Sequence, residues 1–528
     1  MNRTSLGSAF VAAVVVATVG FVGLGQTVGL NPDFDLAVAE EEAYWYSRYN
    51  LGHLTMRSGM GESFMPDPAT VEAMISIADA DPDDGDTATP PVHPALLRTV
   101  YAGGDPRWTQ PADPDDFATM RWDPESFDTR ITGSALGWTV VKELEWAKQF
   151  HIDAHFGSPE DDFGAQWRFV GLVLTAMAEQ QATAWMELRA AGETAMAYGA
   201  DPFVMLMAYS DLAAVLGADA MPHSATNRYR DVEAAETFRA AADGQFDRVL
   251  GVPIEGMAVK ELATAIQGLV WYASVTRDGN RQAIALERIE ELGESLIAAP
   301  KRSAADRGYA LRGLIEAHRV TGSIEALHAA LDLVEELEFD FDHAYGIFES
   351  QMTYTIDDVA AIVGGLNAAR RFGDADDRLI GRMLTGFFEG VVNLSGLQRS
   401  VPPVALGKGA FEQEDPEIFY GYPGLPLPDE VGEFGAAPVF ASSVTFDPDT
   451  GTWTEVDERF DTAGAMHAAN EFIWLHAEEV NGFPAVERPA LAAEETEEEP
   501  NDLLTLLILG TVALVSIALV SMGCRTCR

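Results

Sequence analysis

Between Thr132 and Asn393 the chain repeats one local instruction: start a helix, run it for several turns, break it, and start another. The start signals are legible. Ser158-Pro159-Glu160-Asp161 places a capping serine before a first-turn proline and two first-turn acids, and Asp201-Pro202 repeats the device. Ser303-x-x-Asp306 and Thr355-x-x-Asp358 read as capping boxes in which Asp replaces the usual Glu, and Ser323 caps another start. Inside the runs apolar residues recur at helical spacing, as in Leu311, Leu314, Ile315 and in Ile324, Leu327, Leu331, Val334. Short breaks at Asp278-Gly279, Pro300, Thr321-Gly322 and Gly373-Asp374 separate them. Helices are therefore predicted near 136–156, 159–189, 202–217, 229–249, 256–276, 280–298, 303–320, 323–338, 355–372 and 375–393. Runs at 40–54 and 462–480 bring the number to twelve.

Helices joined by short turns are antiparallel neighbours. Twelve make six hairpins, which either close into an α/α toroid or stack as an open solenoid. The expected class is all-α, with a small β-hairpin near 438–456 around Asp447-Pro448-Asp449-Thr450-Gly451. The segment Tyr309-Ala310-Leu311-Arg312-Gly313-Leu314-Ile315-Glu316-Ala317-His318-Arg319-Val320-Thr321-Gly322, followed by Ile324-Glu325-Ala326-Leu327 and Ala330-Leu331, resembles hairpins of the α/α-toroid superfamily. That superfamily includes six-hairpin glycosidases and acylglucosamine-epimerase-like enzymes. The resemblance covers one hairpin well and two more loosely, and implies an (α/α)6 toroid with its substrate in a central cleft. Tetratricopeptide-like arrays share the helix-turn-helix look, but no 34-residue period is present, which favours the toroid.

Charge narrows the class of partner. Asp+Glu is 83 against Lys+Arg 34, a formal net charge of -49. That field repels phosphate backbones and anionic membrane surfaces, so no nucleic-acid partner is expected. With 47% hydrophobic residues the chain has material for a large core, which excludes global disorder. Lysine occurs only at Lys142, Lys148, Lys260, Lys301 and Lys408, and arginine supplies the other basic residues. Self-repulsion of this size needs screening by salt, and the balance resembles haloarchaeal surface proteins, so a halophilic protein is expected.

Two uncharged apolar runs flank the body. Residues 5–30 form an N-terminal anchor or signal; Ala37-Val38-Ala39 offers a cleavage site, but the run is long enough to span a bilayer, which favours an uncleaved anchor. Leu503–Gly523 reads as a transmembrane helix, and Arg525 and Arg528 place the tail 524–528 in the cytoplasm. Everything between is then extracytoplasmic, at the cell membrane. It divides into an irregular lead-in with one helix (31–130), a helical-hairpin body (131–400), a loop, β-hairpin and closing helix (401–482), and an acidic stalk (483–502). The ectodomain lacks cysteine, so it is held by packing and not by disulfides. Cys524 and Cys527 make a lone CxxC in the tail, read as juxtamembrane thiols or as a metal or redox pair.

Four constellations could carry chemistry. His151 and His155 are four apart on one predicted helix, the spacing of a metal pair, with Asp161 following; this set could bind a transition metal. The competing reading is two half-exposed histidines and a capping aspartate. His53 with Met56, Met60 and Met65 would suit copper(I), against the plainer reading of methionines filling a core. His318 and His328 fall on the apolar stripes of paired helices, where a histidine is a satisfied core residue or lines a central cavity. Asp357 and Asp358 could offer a catalytic carboxylate there, although capping also explains Asp358. No P-loop, no GxGxxG after a strand and no GxSxG is present. Three functions stay open: a membrane-anchored toroid that binds or processes a ligand such as a glycan, a metal-handling ectodomain, and a non-catalytic surface protein that docks a protein partner.

Overall fold

The computed structural model describes residues 29–79, 87–88, 90, 96–108, 121–151, 164–192, 199–222, 224–373, 376–398, 440–476 and 482–487. All twelve expected helices are among them: α1 Leu36–Gly52, α3 Gly133–His151, α4 Gly164–Ala191, α5 Asp201–Gly217, α6 Val232–Val249, α7 Val259–Val275, α8 Gly279–Ala298, α9 Ala304–Thr321, α10 Ile324–Asp340, α11 Ile356–Phe372, α12 Asp377–Phe387 and α13 Thr462–His476. The lead-in holds a further helix, α2 Pro68–Ala78, which the sequence reading passed over. Its start is the same device used elsewhere, with Asp67 accepting from the Thr70 amide at 3.0 Å and proline in the first turn.

The ring closes. Helix α3 packs on α5, α5 on α7, α7 on α9, α9 on α11, α11 on α13, and α13 returns to α3. Outside them α4, α6, α8, α10 and α12 each back the inner helix that precedes them, and α1 backs α13, so the sixth hairpin joins the two ends of the body. This is an (α/α)6 toroid, and the open solenoid is excluded. Composition explains the two layers. Inner α5 is buried on every side from Phe203 to Ala213, while outer α8 buries only Ala285, Ile289, Leu292, Gly293 and Leu296, one stripe of an amphipathic helix. At the α9–α11 crossing a β-carbon on Gly308 would meet the Ile362 Cα at 2.8 Å, and one on Gly365 would meet the Gly308 Cα at 2.9 Å. Only glycine lets these two backbones approach so closely.

The capping boxes form as read: Asp358 N donates to Thr355 Oγ1 at 3.1 Å while Thr355 N donates to Asp358 at 2.8 Å, and Ser303 and Ser323 accept from the Asp306 and Ala326 amides. Asp201 differs. Its carboxylate does not cap its own helix but accepts from the Gly133 and Ser134 amides at the start of α3, tying two inner helices together at their first turns.

Strands are few. In the lead-in β1 Ser63–Phe64 pairs with β2 Leu96–Leu97. Strands β3 Gly103–Trp108 and β4 Trp122–Asp128 then form a sheet with β10 Phe460–Asp461, which runs directly into α13. Strands β5 Phe341–Asp342 and β6 Ile347–Phe348 pair after α10. The expected hairpin is β8 Ser443–Asp447 with β9 Thr452–Asp457, turning at Gly451 with φ 65°, and β7 Thr353–Thr355 joins it as a third strand.

The described residues up to Val486 form one compact unit. Phe483, at the start of the expected stalk, is buried and packs on Phe372. The runs at 5–28 and Leu503–Gly523, the rest of the stalk and the CxxC tail lie outside the described residues. Among the described residues no helix is long and apolar enough to cross a membrane.

Candidate functional site at the mouth of the ring

Ring order identifies which contacts cross the lumen. Helices α7 and α11 are separated by α9, so a bond between them bridges past α9 on the lumen side. Lys260, in the first turn of α7, makes that bond: its Nζ donates to Asp357 Oδ2, in the first turn of α11, at 2.6 Å. Tyr309 of α9 donates to the same oxygen at 2.6 Å. His467 of α13 donates from Nδ1 to Asp357 Oδ1 at 3.0 Å. Three inner helices thus aim one donor each at a single carboxylate.

Two further carboxyls flank it. A β-carbon on Gly464 would meet Asp461 Oδ2 at 2.7 Å and Asp357 Cβ at 3.3 Å, which makes Asp461 and Asp357 immediate neighbours. Asp461 accepts from the Gly464 amide at 3.3 Å, and Asp358 stands in its capping box. Lys260 and Asp357 have side chains 48% and 19% exposed, so this cluster opens to solvent.

Below the mouth the lumen is filled by aromatic rings. His467 is stacked on Trp138 with centroids 4.4 Å apart, and the Tyr309 ring lies nearly parallel to it at 5.9 Å. Trp138 meets Trp474 at 6.5 Å, and Trp474 meets Trp271 of α7 at 6.3 Å. Helices α7 and α13 stand opposite each other in the ring, so this last pair closes the axis. Cations line the column: Arg312 over Trp474 at 5.3 Å, Lys148 over Trp271 at 5.5 Å. Arg312 also pairs with Glu471 at 3.3 Å and donates to the Gly482 carbonyl at 2.9 Å, which fixes the segment after α13 against the ring.

The electrostatics split the three carboxyls. Burial would push Asp357 up, but the His467 hydrogen bond and the Lys260 charge outweigh it and hold its carboxyl well below the usual range. Burial pushes Asp461 up, and the Asp357 charge adds to the effect. Burial likewise raises Asp358. Lys260 loses by burial but gains more from Asp357, and is held above its ordinary value. The three neighbouring carboxyls are thus shifted in opposite directions, Asp357 down and Asp358 and Asp461 up.

Of the residues singled out in the sequence, Asp357 and Asp358 reach this mouth. His318 does not. It sits in the last turn of α9, away from the first-turn mouth, with Nδ1 2.9 Å from the Ser323 carbonyl in the turn to α10, and His328 is exposed on α10. His151 is buried at the end of α3, where its Nε2 accepts from the Arg228 amide at 3.1 Å and its ring stands edge-on to Tyr229. His155 and Asp161, its expected co-ligands, lie outside the described residues. His53 and Met60 are buried, Met65 is exposed, and the Met56 side chain is not described. Among the described residues no group of three or more His, Cys, Asp or Glu side chains is placed to hold a metal ion. A depression of the outer surface beside Arg307, Glu336 and Phe339 lies on the outer layer, away from the lumen.

Lys260, Tyr309, His467 and Asp461 were missed. Their signal was positional: a polar residue near the start of a helix that is otherwise buried on every side.

No family model and no curated protein matches the chain. In structure it is similar to a point variant of unsaturated glucuronyl hydrolase from Streptococcus agalactiae, with TM-score 0.42 and 9% identity over 85% of this chain and 93% of that one. It is similar to the unsubstituted form of that enzyme with TM-score 0.40 and 9% identity, over 84% and 91%. The toroid assignment stands on the helix packing described above.

Proposed function

We propose that the mouth of the toroid is the active site of a glycan-processing enzyme, in which Asp461 is the proton donor and Asp357 the ionised carboxylate. What supports this reading is the convergence of Lys260, Tyr309 and His467 on Asp357, with Asp461 close enough to feel its charge and accepting from the Gly464 amide at the start of its own helix. Protonated Asp461 gives its proton to the glycosidic oxygen as the bond from that oxygen to the anomeric carbon breaks. Asp357 is too acidic to serve as a proton acceptor. It stabilises the positive charge that develops on the sugar ring. A water then adds to the anomeric carbon and returns its proton to Asp461, which restores the site. We place this activity outside the cell, tethered by Leu503–Gly523, in a salt-rich medium.

The test is Asp357→Asn and Asp461→Asn in the purified ectodomain, assayed for release of reducing ends from a panel of oligosaccharides. Each variant should lose about a thousandfold in turnover with its helical circular dichroism unchanged. Retained turnover in both, or a wild-type protein that neither cleaves nor binds any glycan, overturns the reading.

A further inference from the structure

Asp461 stands at the end of β10, and β10 is paired outside the toroid. It lies antiparallel to β3 of the lead-in, with Phe460 opposite Gly104 and Asp461 opposite Gly103. The approach is close because both partners are glycine. A β-carbon on Gly103 would meet the Phe460 carbonyl oxygen at 2.6 Å, and one on Gly104 would meet Met60 Sδ at 2.5 Å and the Phe127 ring at 2.7 Å. Asp461 is held from both sides. Before it, buried Phe460 meets the buried indole of Trp122, on β4, edge-on at 5.2 Å. After it, Thr462 donates from its amide to the Ala102 carbonyl at 3.0 Å and from Oγ1 to the Tyr101 carbonyl at 2.6 Å. Ala102 is itself fixed, its amide donating to the Asp128 and Arg130 carbonyls at 3.0 Å and 2.9 Å. Strand β4 leads on to α3 and β10 runs into α13, so this sheet bridges the starts of the two helices at which the ring closes.

From these contacts we infer that the lead-in is a working part of the mouth: Gly103, Trp122 and Thr462 position Asp461 beside Asp357, and the toroid without its sheet is an incomplete site. The three are positioning residues that act through Asp461. An aspartate ahead of a helix swings with the segment that carries it, and a displacement of about 1 Å at a reacting group is enough to cost about a hundredfold in rate. Here the residue on either side of Asp461 is stacked on or hydrogen bonded to the lead-in, which leaves the carboxyl little besides rotation about its own bonds. The Gly464 amide at 3.3 Å selects one orientation. The charges that act on Asp461 come from Asp357 and Lys260, and its amide donors are Ala463 and Gly464. What the lead-in adds is position. The inference rests on the glycan reading for what Asp461 does, and on the strand pairing alone for where it stands.

The experiment uses the full-length chain with carbon-13 in its aspartate carboxyls, the Asp461 signal being assigned by its loss in Asp461→Asn. Thr462→Val keeps the volume and the amide bond but loses the hydroxyl donor to Tyr101. Gly103→Ala forces β3 away from the Phe460 carbonyl. Loosening β10 lets water reach the carboxyl, so in both variants the Asp461 titration should move back toward the ordinary carboxyl range. Turnover should fall about tenfold in Thr462→Val and about a hundredfold in Gly103→Ala, with KM changed by less than about threefold. Asp67→Ala uncaps α2, elsewhere in the lead-in, and should move neither readout. If Gly103→Ala does not fold, Thr462→Val decides. An Asp461 titration that stays in place in the folded variants, turnover that is unchanged while the titration moves, or an equal response to Asp67→Ala overturns the inference. A titration that moves in a protein that cleaves no glycan upholds the positioning of Asp461 and removes the glycan reading alone.

Discussion

The imidazole of His467 lies 3.0 Å from Asp357 Oδ1, donated by α13 to α11, while its ring is held face to face with Trp138 of α3. Three inner helices therefore fix one hydrogen bond, and rotating the imidazole would break a stack on a buried indole. His467→Gln can still donate one hydrogen bond but cannot stack. It should retain the ellipticity of the fold, lose about 1 kcal/mol of stability from the missing ring contact, and lose turnover by at least tenfold. Denaturant titration and steady-state kinetics would check both.

Asp357 itself makes a pH prediction with a definite sign. Its folded pKa is depressed, so its stabilising contribution is fully present above the unfolded carboxyl range of about 3.9. It is lost only as pH falls through the folded value, which lies lower still. Asp357→Asn should thus destabilise by about 2 kcal/mol at neutral pH, and the difference from the wild type should shrink in strong acid. Denaturation midpoints at several pH values would show it, and a difference that grows in acid would refute it.

Glu471 lies against α11 where a side chain would otherwise be. A β-carbon on Gly364 would come within 2.6 Å of Glu471 Oε2 and 2.8 Å of Oε1, and that carboxylate is buried opposite Arg312. Gly364→Ala has to displace the buried carboxylate from its cation, at a cost of about 3 kcal/mol. Gly279, at the start of α8, has nothing within reach of a new β-carbon, so Gly279→Ala should be neutral or stabilising by about 0.5 kcal/mol. A comparison of the two separates packing from helix propensity.

The helices were legible because capping is local. Ser303, Ser323, Thr355 and the Asp-Pro starts announce themselves within four residues, and the one helix missed, α2, uses the same signal in a stretch whose prolines and glycines suggested loop. Closure was not legible from any single hairpin, since it depends on α1 meeting α13 across more than four hundred residues. The site suffered for the same reason. Asp357 could be nominated from its neighbour Asp358, but Lys260, Tyr309 and His467 sit on three different helices and acquire meaning only when the ring brings them to one oxygen. His318 lies on an apolar stripe that allowed a satisfied core residue as well as a cavity-lining one, and its ring turns back toward the α9–α10 turn, with Nδ1 2.9 Å from the Ser323 carbonyl. Knowing that inner helices are buried all round would have redirected attention to the few charged residues embedded in them.

Lys148 of α3 is such a residue, and its behaviour follows from counting charges. It bonds Glu145 at 2.6 Å and Asp211 of α5 at 2.8 Å, and both carboxyls are almost wholly buried. One ammonium cannot neutralise two buried carboxylates, so one of them must favour its proton. Burial pushes Asp211 up to about 7, against the pull of Lys148. Lys148 remains charged, because the two carboxyls outweigh its own desolvation. A raised carboxyl contributes stability that is present below its unfolded value and lost as pH rises through the folded one, here between about 4 and 7. Asp211→Asn removes the surplus charge and keeps an acceptor for Lys148, so it should cost less than about 1 kcal/mol at pH above 8. Lys148→Met leaves two unpaired buried acids and should cost about 3–5 kcal/mol there, easing as the pH is lowered and they take up protons. Chemical denaturation of both variants on either side of neutrality would check the pair, and an Asp211→Asn protein that is the more damaged of the two in alkali would show that the site holds a balanced charge.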